Sequence, residues 1–256
     1  MRRLSGIELT GDEEIFLAHI DDLSRMSEKN YSPEYTAFLD ERRQMLAETA
    51  LRCAGAEYFR FFGGYENAVR RVLCIYPEYN APKDGDFPVK AVKFTFRRQD
   101  AVTHSQLLGT VMSLGIKREL TGDMICGSGC AYALLAPAAA ALAGGISKIG
   151  RVGVKTSYAQ LSEIVRSESY ESKKLSVSSL RLDCIISAAA GISRGKAAEL
   201  IRSEGVDVNY IKIFSPDHSM SEGDVFSARG KGKYIFESID GSSRSGRTFI
   251  SVKKYS

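Results

Sequence analysis

Residues 179–209 read SLRLDCIISAAAGISRGKAAELIRSEGVDVN, and this stretch decides the fold of the C-terminal part of the chain. Apolar residues recur at helical spacing over 180–190 and again over 194–204, and a glycine follows each run. Ser193 stands just before the second run, where its side-chain oxygen can accept hydrogen bonds from the free amides of a first helical turn. After Gly205 apolar and polar residues alternate with the period of a strand. The stretch therefore predicts two short helices followed by a strand.

The same region carries the residue types that hold an RNA backbone. A Ser-capped helix start presents free amides and a positive dipole end to a phosphate, and neighbouring Arg and Lys side chains add charge. Glycines between the basic residues of 229–233 let the backbone approach a phosphate chain closely. The candidate RNA-binding residues are Arg181, Ser193, Arg194, Lys196, Arg202, Asn209, Lys212, Arg229, Lys231, Lys233 and Arg247.

The charge distribution points to the same class of partner. The chain has 256 residues and a net charge of +4, which hides a gradient along the sequence. Residues 1–88 carry 11 Lys and Arg against 16 Asp and Glu, whereas residues 89–170 carry 10 against 5 and residues 181–256 carry 12 against 9. An acidic front followed by a basic middle and tail indicates a polyanionic partner, most often a nucleic acid.

We predict an α+β chain in four sections. These are a mainly helical N-terminal domain over 1–88, a central domain over 89–158, a linker over 159–178 and an RNA-binding domain over 179–256. In the first section, Ser32, Pro33 and Glu34 have the composition of a helix start, and apolar spacing continues from there to Leu46.

The central section shows a β-α-β-β-α-β order, which predicts a ferredoxin-like (RRM-like) sheet with two helices on one face. If the apolar residues pack on those helices, the other face is open. That face would then carry a second RNA surface formed by Lys93, Arg97, Arg151 and Lys155. The alternative is that these four cations are only solvated.

No pattern in the sequence indicates a cofactor, a metal site or a membrane segment. The five cysteines are odd in number and scattered, which suits a reducing cytoplasm. Cys126 and Cys130 are spaced C-x₃-C but lack a second Cys/His pair nearby, so zinc is not expected. No signal peptide precedes the first acidic residues, and no apolar run is long enough to span a bilayer. We expect a cytoplasmic monomer without cofactors.

The triplet Arg181-Leu182-Asp183 has two readings. It resembles the catalytic segment of RNA pseudouridine synthases, in which the Asp attacks the sugar of a uridine. Such enzymes need a separate catalytic domain around this Asp, whereas only 73 residues follow Asp183 here. A carboxylate at a helix start, beside the positive end of the helix dipole, is the simpler explanation. We therefore predict no active site, with an RNA-modifying enzyme, a pseudouridine synthase or a methyltransferase, as the alternative.

Several short motifs resemble the small RNA-binding fold of ribosomal protein S-four. They are Arg181-Leu182-Asp183, Ser193-Arg194, Lys196-Ala197, Leu200-Ile201, Gly205, Val206, Val208-Asn209 and Glu222-Gly223-Asp224. In that family the paired helices and the following strand loop hold structured RNA. Tyr210 stands where the family usually has Gly, which puts the geometry of that turn in question.

Further motifs extend a resemblance to YlmH-type RNA-binding proteins of Gram-positive bacteria over nearly the whole chain. They are Gly63-Gly64-Tyr65-Glu66, His104, Leu108-Gly109, Leu114-Gly115-Ile116-Lys117-Arg118-Glu119, Gly122-Asp123, Lys148-Ile149-Gly150-Arg151-Val152 and Gly246-Arg247. The resemblance implies a cytoplasmic, ribosome-associated protein that binds the large subunit, through rRNA, and tRNA during rescue of stalled nascent chains. Ser105 and Gln106 replace an Arg-Asp pair of the family, so contacts made by that pair are in question. A third reading is an interaction factor tied to cell division.

Overall fold

The computed structural model describes residues 7–164, 170–243 and 246–255. Contacts between Cα atoms divide the chain into two units, Met1–Arg166 and Ser167–Ser256. The sections predicted over 1–88 and 89–158 thus fall together in unit 1. Both units combine helices with antiparallel sheets, which confirms the predicted α+β class.

Unit 1 consists of helices and short strands that form three separate sheets. In chain order its elements are α1 Gly11–Asn30, β1 Glu34–Leu39, α2 Glu41–Cys53, β2 Phe59–Phe62, β3 Arg71–Ile75, β4 Lys90–Thr95, α3 His104–Met112, β5 Thr121–Cys126, β6 Cys130–Leu135, α4 Pro137–Ala143, β7 Lys148–Ile149, β8 Val152–Gly153 and β9 Lys155–Ala159. The strand orders are β1-β3-β2, β5-β6-β4-β9 and β7-β8, with antiparallel pairing throughout.

The prediction of a mainly helical N-terminal section was wrong in one respect. The residues that follow Pro33 form strand β1, and a three-stranded sheet lies beside the two helices. The aromatic and β-branched residues of β1 pack well on a pleated surface, and β1 pairs with β3. The helix begins instead after Asp40, whose carboxylate accepts a hydrogen bond from the Arg43 amide at 2.9 Å.

The four-stranded sheet is buried on both faces. One face packs on helices α3 and α4 through residues such as Phe94 and Ala133, both fully buried. The other face packs on the N-terminal elements, where Phe38 and Leu134 are 2% and 0% exposed. The contact is so close that a Cβ atom on Gly122 would lie 2.6 Å from Cε1 of Phe38. The open sheet face expected from the sequence is therefore largely covered.

Unit 2 is a helical hairpin packed on one antiparallel sheet. Its elements are β10 Tyr170–Val177, α5 Leu182–Ala190, α6 Arg194–Glu204, β11 Val206–Val208, β12 Ile211–Ile213, β13 Val225–Ala228, β14 Gly232–Ser242 and β15 Thr248–Tyr255. The sheet order is β10-β15-β14-β13-β11-β12. The two helices predicted over 180–190 and 194–204 are confirmed by α5 and α6.

The core of unit 2 lies between the helical hairpin and the sheet. Ile185 and Ile201, one from each helix, are fully buried against Phe236 and Val252 of the central strands. The hairpin turns at Gly191, whose φ of +65° is a left-handed conformation that glycine adopts without strain. This packing fixes how the start of α6 is held beside the start of α5.

Part of the predicted linker over 159–178 is a strand. β10 pairs along its whole length with β15, and Leu175 lies opposite Ile250. Val177 is buried and Leu175 half-buried, whereas Glu171, Ser172 and Lys174 are exposed. The pairing joins segments more than seventy positions apart in sequence, from Val177 opposite Thr248 to Tyr170 opposite Tyr255.

Candidate nucleic-acid interface

Asp183 lies at the centre of the predicted RNA-binding region. Helix α5 begins at Leu182, and the amides of Leu182 and Asp183 donate to the carbonyls of His218 and Pro216 at 2.9 and 3.0 Å. These two bonds tie the helix start to the segment before β13. In this position Asp183 is buried, with 3% of the residue exposed.

Two arginines converge on this carboxylate. Arg181 donates from Nε to Oδ1 and from Nη2 to Oδ2, each at 3.2 Å, and Arg194 donates from Nε to Oδ2 at 3.0 Å. The arginine side chains remain 42% and 53% exposed. We call Arg181, Asp183 and Arg194 the arginine clamp. It holds two guanidinium groups beside one another at the surface, with a combined charge of +1.

The electrostatics of the arginine clamp keep Asp183 ionised. Burial alone would raise the pKa of Asp183, but the hydrogen bonds from Arg181 and Arg194 outweigh it and hold the pKa below its ordinary value. The hydrogen bond between Arg194 and Asp183 also raises the pKa of Arg194. The guanidinium nitrogens that do not contact Asp183 can donate to a phosphate, which arginine binds in a forked geometry.

Helix α6 starts beside the arginine clamp. The Ser193 hydroxyl accepts a hydrogen bond from the Lys196 amide at 3.3 Å, so Ser193 caps the helix as its position in the sequence predicts. Lys196 is exposed in the first turn, and Arg202 is exposed in the last. The structure thus brings together Arg181, Ser193, Arg194 and Lys196, while Arg202 lies further along the helix.

A second group of predicted residues lines a groove near the other end of α6. The groove has a volume of about 700 Å³ and its cationic side chains are Lys212, Arg229 and Lys233. Lys212 Nζ donates to the last helical carbonyl, that of Glu204, at 3.3 Å. Gly205 forms part of the wall, and a Cβ there would lie 2.7 Å from the Lys212 side chain. We call this the Lys233 groove.

Lys233 is held by two tyrosines. Its Nζ lies 5.1 Å from the ring centroid of Tyr210 and 5.0 Å from that of Tyr255, within the range of cation–π attraction. Tyr210 has a φ of +65°, so it adopts the left-handed backbone that the more usual glycine would supply. Tyr210, in place of the glycine usual in the S-four family, thus preserves the turn between β11 and β12 and adds an aromatic ring beside Lys233.

Two further predicted residues are engaged within the protein. The Asn209 side chain donates to Asp224 at 2.7 Å and accepts from the Val225 amide at 3.0 Å, which joins the β11–β12 turn to β13. Arg247 donates to the hydroxyl and carbonyl oxygens of Ser176 at 2.9 and 2.6 Å. The Asn209 side chain therefore stabilises the β11–β12 turn against β13. Lys231, another predicted RNA-binding residue, lies in the turn before β14 and is partly exposed.

The predicted second RNA surface is not assembled as expected. Lys93 lies on the covered sheet face, with Nζ 3.7 Å from the Glu163 carboxylate. Arg97 pairs with Asp100 at 2.9 Å beyond the strand end, and Arg151 belongs to the separate β7–β8 hairpin. Lys155 is exposed at the start of β9. The expectation of an open sheet face was wrong, because the N-terminal elements pack on this face; RNA contact by the four cations stays a prediction.

Sequence reasoning missed the role of Asp183 as a common anchor for both arginines. The only signal in the sequence was an acid two residues after Arg181 in an otherwise basic region. The ion pair with Arg194 depends on how α5 and α6 pack, which no local pattern reveals. Within residues 7–164, 170–243 and 246–255, His, Cys, Asp and Glu side chains form no cluster suited to a metal ion. None of the helices in those ranges has the length and apolar character needed to cross a membrane.

Three similarities to known proteins bear on this chain. Residues 82–163 match the family described as "Putative RNA-binding domain in YlmH". The chain is 30% identical over 249 residues to Ribosome-associated protein quality control protein P2 of Bacillus subtilis (strain 168), a match that covers 95% of each protein. The structure of Cell division protein ylmH from Streptococcus pneumoniae is similar with a TM-score of 0.52 and 23% identity, over 62% of this chain and 98% of that chain.

The structural likeness supports the fold alone, whereas the Bacillus relative matches from end to end. Together with the match over 82–163, this identity shows that the resemblance first seen in short motifs extends over 95% of the chain. The chain therefore belongs to the YlmH family.

Proposed function

We propose that this chain is a non-enzymatic RNA-binding protein of the ribosome. In this proposal it contacts rRNA of the large subunit and tRNA, and it acts in the rescue or quality control of stalled translation. The name of the Bacillus relative supports association with the ribosome and a role in quality control. The match over 82–163 supports RNA binding.

The observation that carries the proposal is the arginine clamp beside the start of α6. A buried carboxylate fixes two half-exposed guanidinium groups, and the free amides of a Ser-capped helix lie next to them. Helix-start amides and guanidinium groups bind phosphates well when they are aligned before the ligand arrives. The charge of Lys196 extends the same surface.

We also propose finer assignments for the two folds and for the state of the protein. The order β5-β6-β4-β9, with helices α3 and α4 on one face, supports a ferredoxin-like arrangement in unit 1. The α5–α6 hairpin followed by β11 and β12 supports an arrangement like that of ribosomal protein S-four in unit 2. A monomer in the cytoplasm is the state in which we expect it to act.

The proposal is tested by the double substitution Arg194→Ala with Lys196→Ala. We expect weaker co-sedimentation with large ribosomal subunits and a salt slope of RNA binding reduced by up to ~2, because each lost phosphate contact removes about 0.9 from the slope. The matched control is Arg25→Ala with Lys29→Ala, which removes two exposed cations from helix α1. Ribosome association that is equal in the double variant, the control and the unsubstituted protein would refute the assignment.

The alternative of an RNA-modifying enzyme is disfavoured by the position of Asp183. A nucleophilic carboxylate must reach a sugar carbon, but Asp183 is 3% exposed and its oxygens accept hydrogen bonds from two arginines. A pseudouridine synthase would isomerise uridine in bound RNA and lose this activity in Asp183→Asn. We expect no pseudouridine to form with either protein, as measured by mass spectrometry of the RNA.

A further inference from the structure

A groove in unit 1 has features of a ligand site that the arginine clamp does not explain. It has a volume of about 780 Å³ and lies between strand β2, the Gly63–Glu66 loop, the 84–85 turn and the 160–164 segment. This size is within the range that accommodates small organic ligands. Its walls combine aromatic rings with two arginines. We call it the Arg71 groove.

Arg60 supplies a fixed planar wall. Its guanidinium donates to the Pro82 carbonyl at 3.0 Å and pairs with Asp84 at 2.5 Å. It also lies over the rings of Phe62 and Phe87, with Cζ 5.7 and 5.5 Å from the two centroids. Because Asp84 balances its charge, Arg60 serves better as a stacking surface than as an anion site. A nucleobase can stack on such a plane.

Arg71 supplies the donor. Its Nε is buried, and among the residues that the structure describes it has no hydrogen-bond partner. Arg71 as a whole is half-buried and lines the groove, so a ligand meets the charge of its guanidinium group rather than the buried Nε. Asp84 already contacts Arg60 on the same wall. Phosphate oxygens are among the acceptors that arginine binds in a forked geometry.

The rest of the lining suits the sugar and the base edge. Glu66 is exposed at the groove, and its carboxylate can accept from a ribose hydroxyl or an exocyclic amine. Gln160 also lines the groove. Gly85 contributes backbone rather than a side chain, and a Cβ there would meet nothing within 4 Å, which leaves room for the ligand to approach.

We propose that the Arg71 groove binds one nucleoside phosphate, with the phosphate on Arg71 and the base against Arg60. The nucleotide comes either from an unpaired segment of bound RNA or from the free pool, since the recognition chemistry is the same. Only the RNA source rests on the function proposed above. Recognition of unpaired, unstacked bases on aromatic and guanidinium planes is the usual way in which proteins read single-stranded RNA.

The test uses the full chain and three probes: a paired RNA hairpin, the same hairpin with a short single-stranded extension, and AMP. Binding of the two RNAs is measured by fluorescence anisotropy and that of AMP by calorimetry. Arg71→Gln removes the charge, and Gly85→Glu adds a carboxylate at a position where a Cβ meets nothing within 4 Å. Arg98→Gln is the matched control, since Arg98 is exposed and not part of the groove.

For an RNA source, we expect the extension to tighten binding about tenfold in the unsubstituted protein and in Arg98→Gln. Both groove variants should lose that gain and bind the paired hairpin as before. For a free nucleotide, AMP binding should be lost in both groove variants while the extension has no effect. Thermal melting checks that each variant is folded, and Gly85→Glu decides if Arg71→Gln does not fold.

The proposal is overturned if the unsubstituted protein neither prefers the extension nor binds AMP. It is also overturned if both groove variants keep those properties. Failure of the proposed RNA-binding function gives a different result, because neither hairpin would then bind to the unsubstituted protein or to any variant. In that case the AMP measurement alone decides for or against the Arg71 groove.

Discussion

The substitution Asp183→Asn tests the arginine clamp most directly, because it keeps the size of the side chain and removes its charge. Three N–H donors from Arg181 and Arg194 reach the Asp183 carboxylate at 3.0 to 3.2 Å. After the substitution one carboxylate oxygen becomes an amide that donates rather than accepts. The remaining oxygen can still accept, but the two guanidinium groups lose the negative charge that holds them together.

The expected loss of stability is modest. Hydrogen bonds to charged groups contribute about 1.5–3 kcal/mol each, but side chains 42% and 53% exposed recover much of this from water when the carboxylate is gone. We therefore expect a decrease of about 2 kcal/mol in the free energy of unfolding of unit 2. The chain contains no Trp, so urea unfolding is best followed by far-UV circular dichroism.

The expected loss of RNA affinity comes from side-chain order. Fixing a long side chain on binding costs about 0.5–1.5 kcal/mol, and the clamp fixes two of them before RNA arrives. Losing this order should cost about 2 kcal/mol of binding free energy, or roughly thirtyfold in affinity for a structured RNA. The change runs against simple electrostatics, since Asp183→Asn makes the surface more positive and would by charge alone strengthen RNA binding.

The matched control is Glu199→Gln, which makes the same change in charge at an exposed position of α6. We expect its RNA affinity to be unchanged or slightly higher, as measured by fluorescence anisotropy at two salt concentrations. Equal or tighter RNA binding by a folded Asp183→Asn protein would show that the two arginines need no anchor, and the reasoning from the clamp would be refuted.

Three further changes test the structure around the interface. The pKa of Asp183 in the folded state lies below its ordinary value of 3.8. Its contribution to folding stability is therefore complete above about pH 4 and is lost as the pH falls through the folded pKa. Acid titration followed by circular dichroism should show this loss in the unsubstituted protein and not in Asp183→Asn. Gly205→Ala should destabilise unit 2 by about 1–2 kcal/mol in urea unfolding, because φ is +71° and the new Cβ would lie 2.7 Å from the Lys212 side chain. Tyr65→Phe should destabilise unit 1 by about 1.5–3 kcal/mol in thermal melting, because the buried hydroxyl donates to Asp123 at 2.7 Å.

Local signals predicted much of the secondary structure around the candidate interface. The Ser193 cap, the helical periods on either side of it and the strand after Gly205 each depend on neighbours a few positions away, and the structure confirms them. Such signals are reliable because capping and side-chain periodicity act over one or two turns. The charges of Arg194 and Lys196 at the helix start could be placed for the same reason.

Features that depend on distant pairing were not predicted. Strand β1 was read as a helix because Pro33 and the apolar spacing after it fit a first helical turn, whereas pairing with β3 decides its conformation. The edge strand β10 was read as a linker because its polar residues resemble a connection until Leu175 is seen opposite Ile250. The covered sheet face escaped prediction because Phe38, which packs on it, lies about fifty residues before its first strand.

If RNA binds as proposed, the arginine clamp and the Lys233 groove provide two kinds of contact. The negative charge of Asp183 lowers the net attraction of this basic surface for phosphate at long range. At short range the same carboxylate holds the two guanidinium groups in position. Lysines hold compact charges on flexible stems, and at physiological salt their field extends about 8 Å. Helix α6 has 11 residues and rises ~1.5 Å per residue, so the clamp and the groove lie about 16 Å apart along it. An RNA that contacts both must therefore present phosphates at that separation, which a structured RNA does and a single free nucleotide does not.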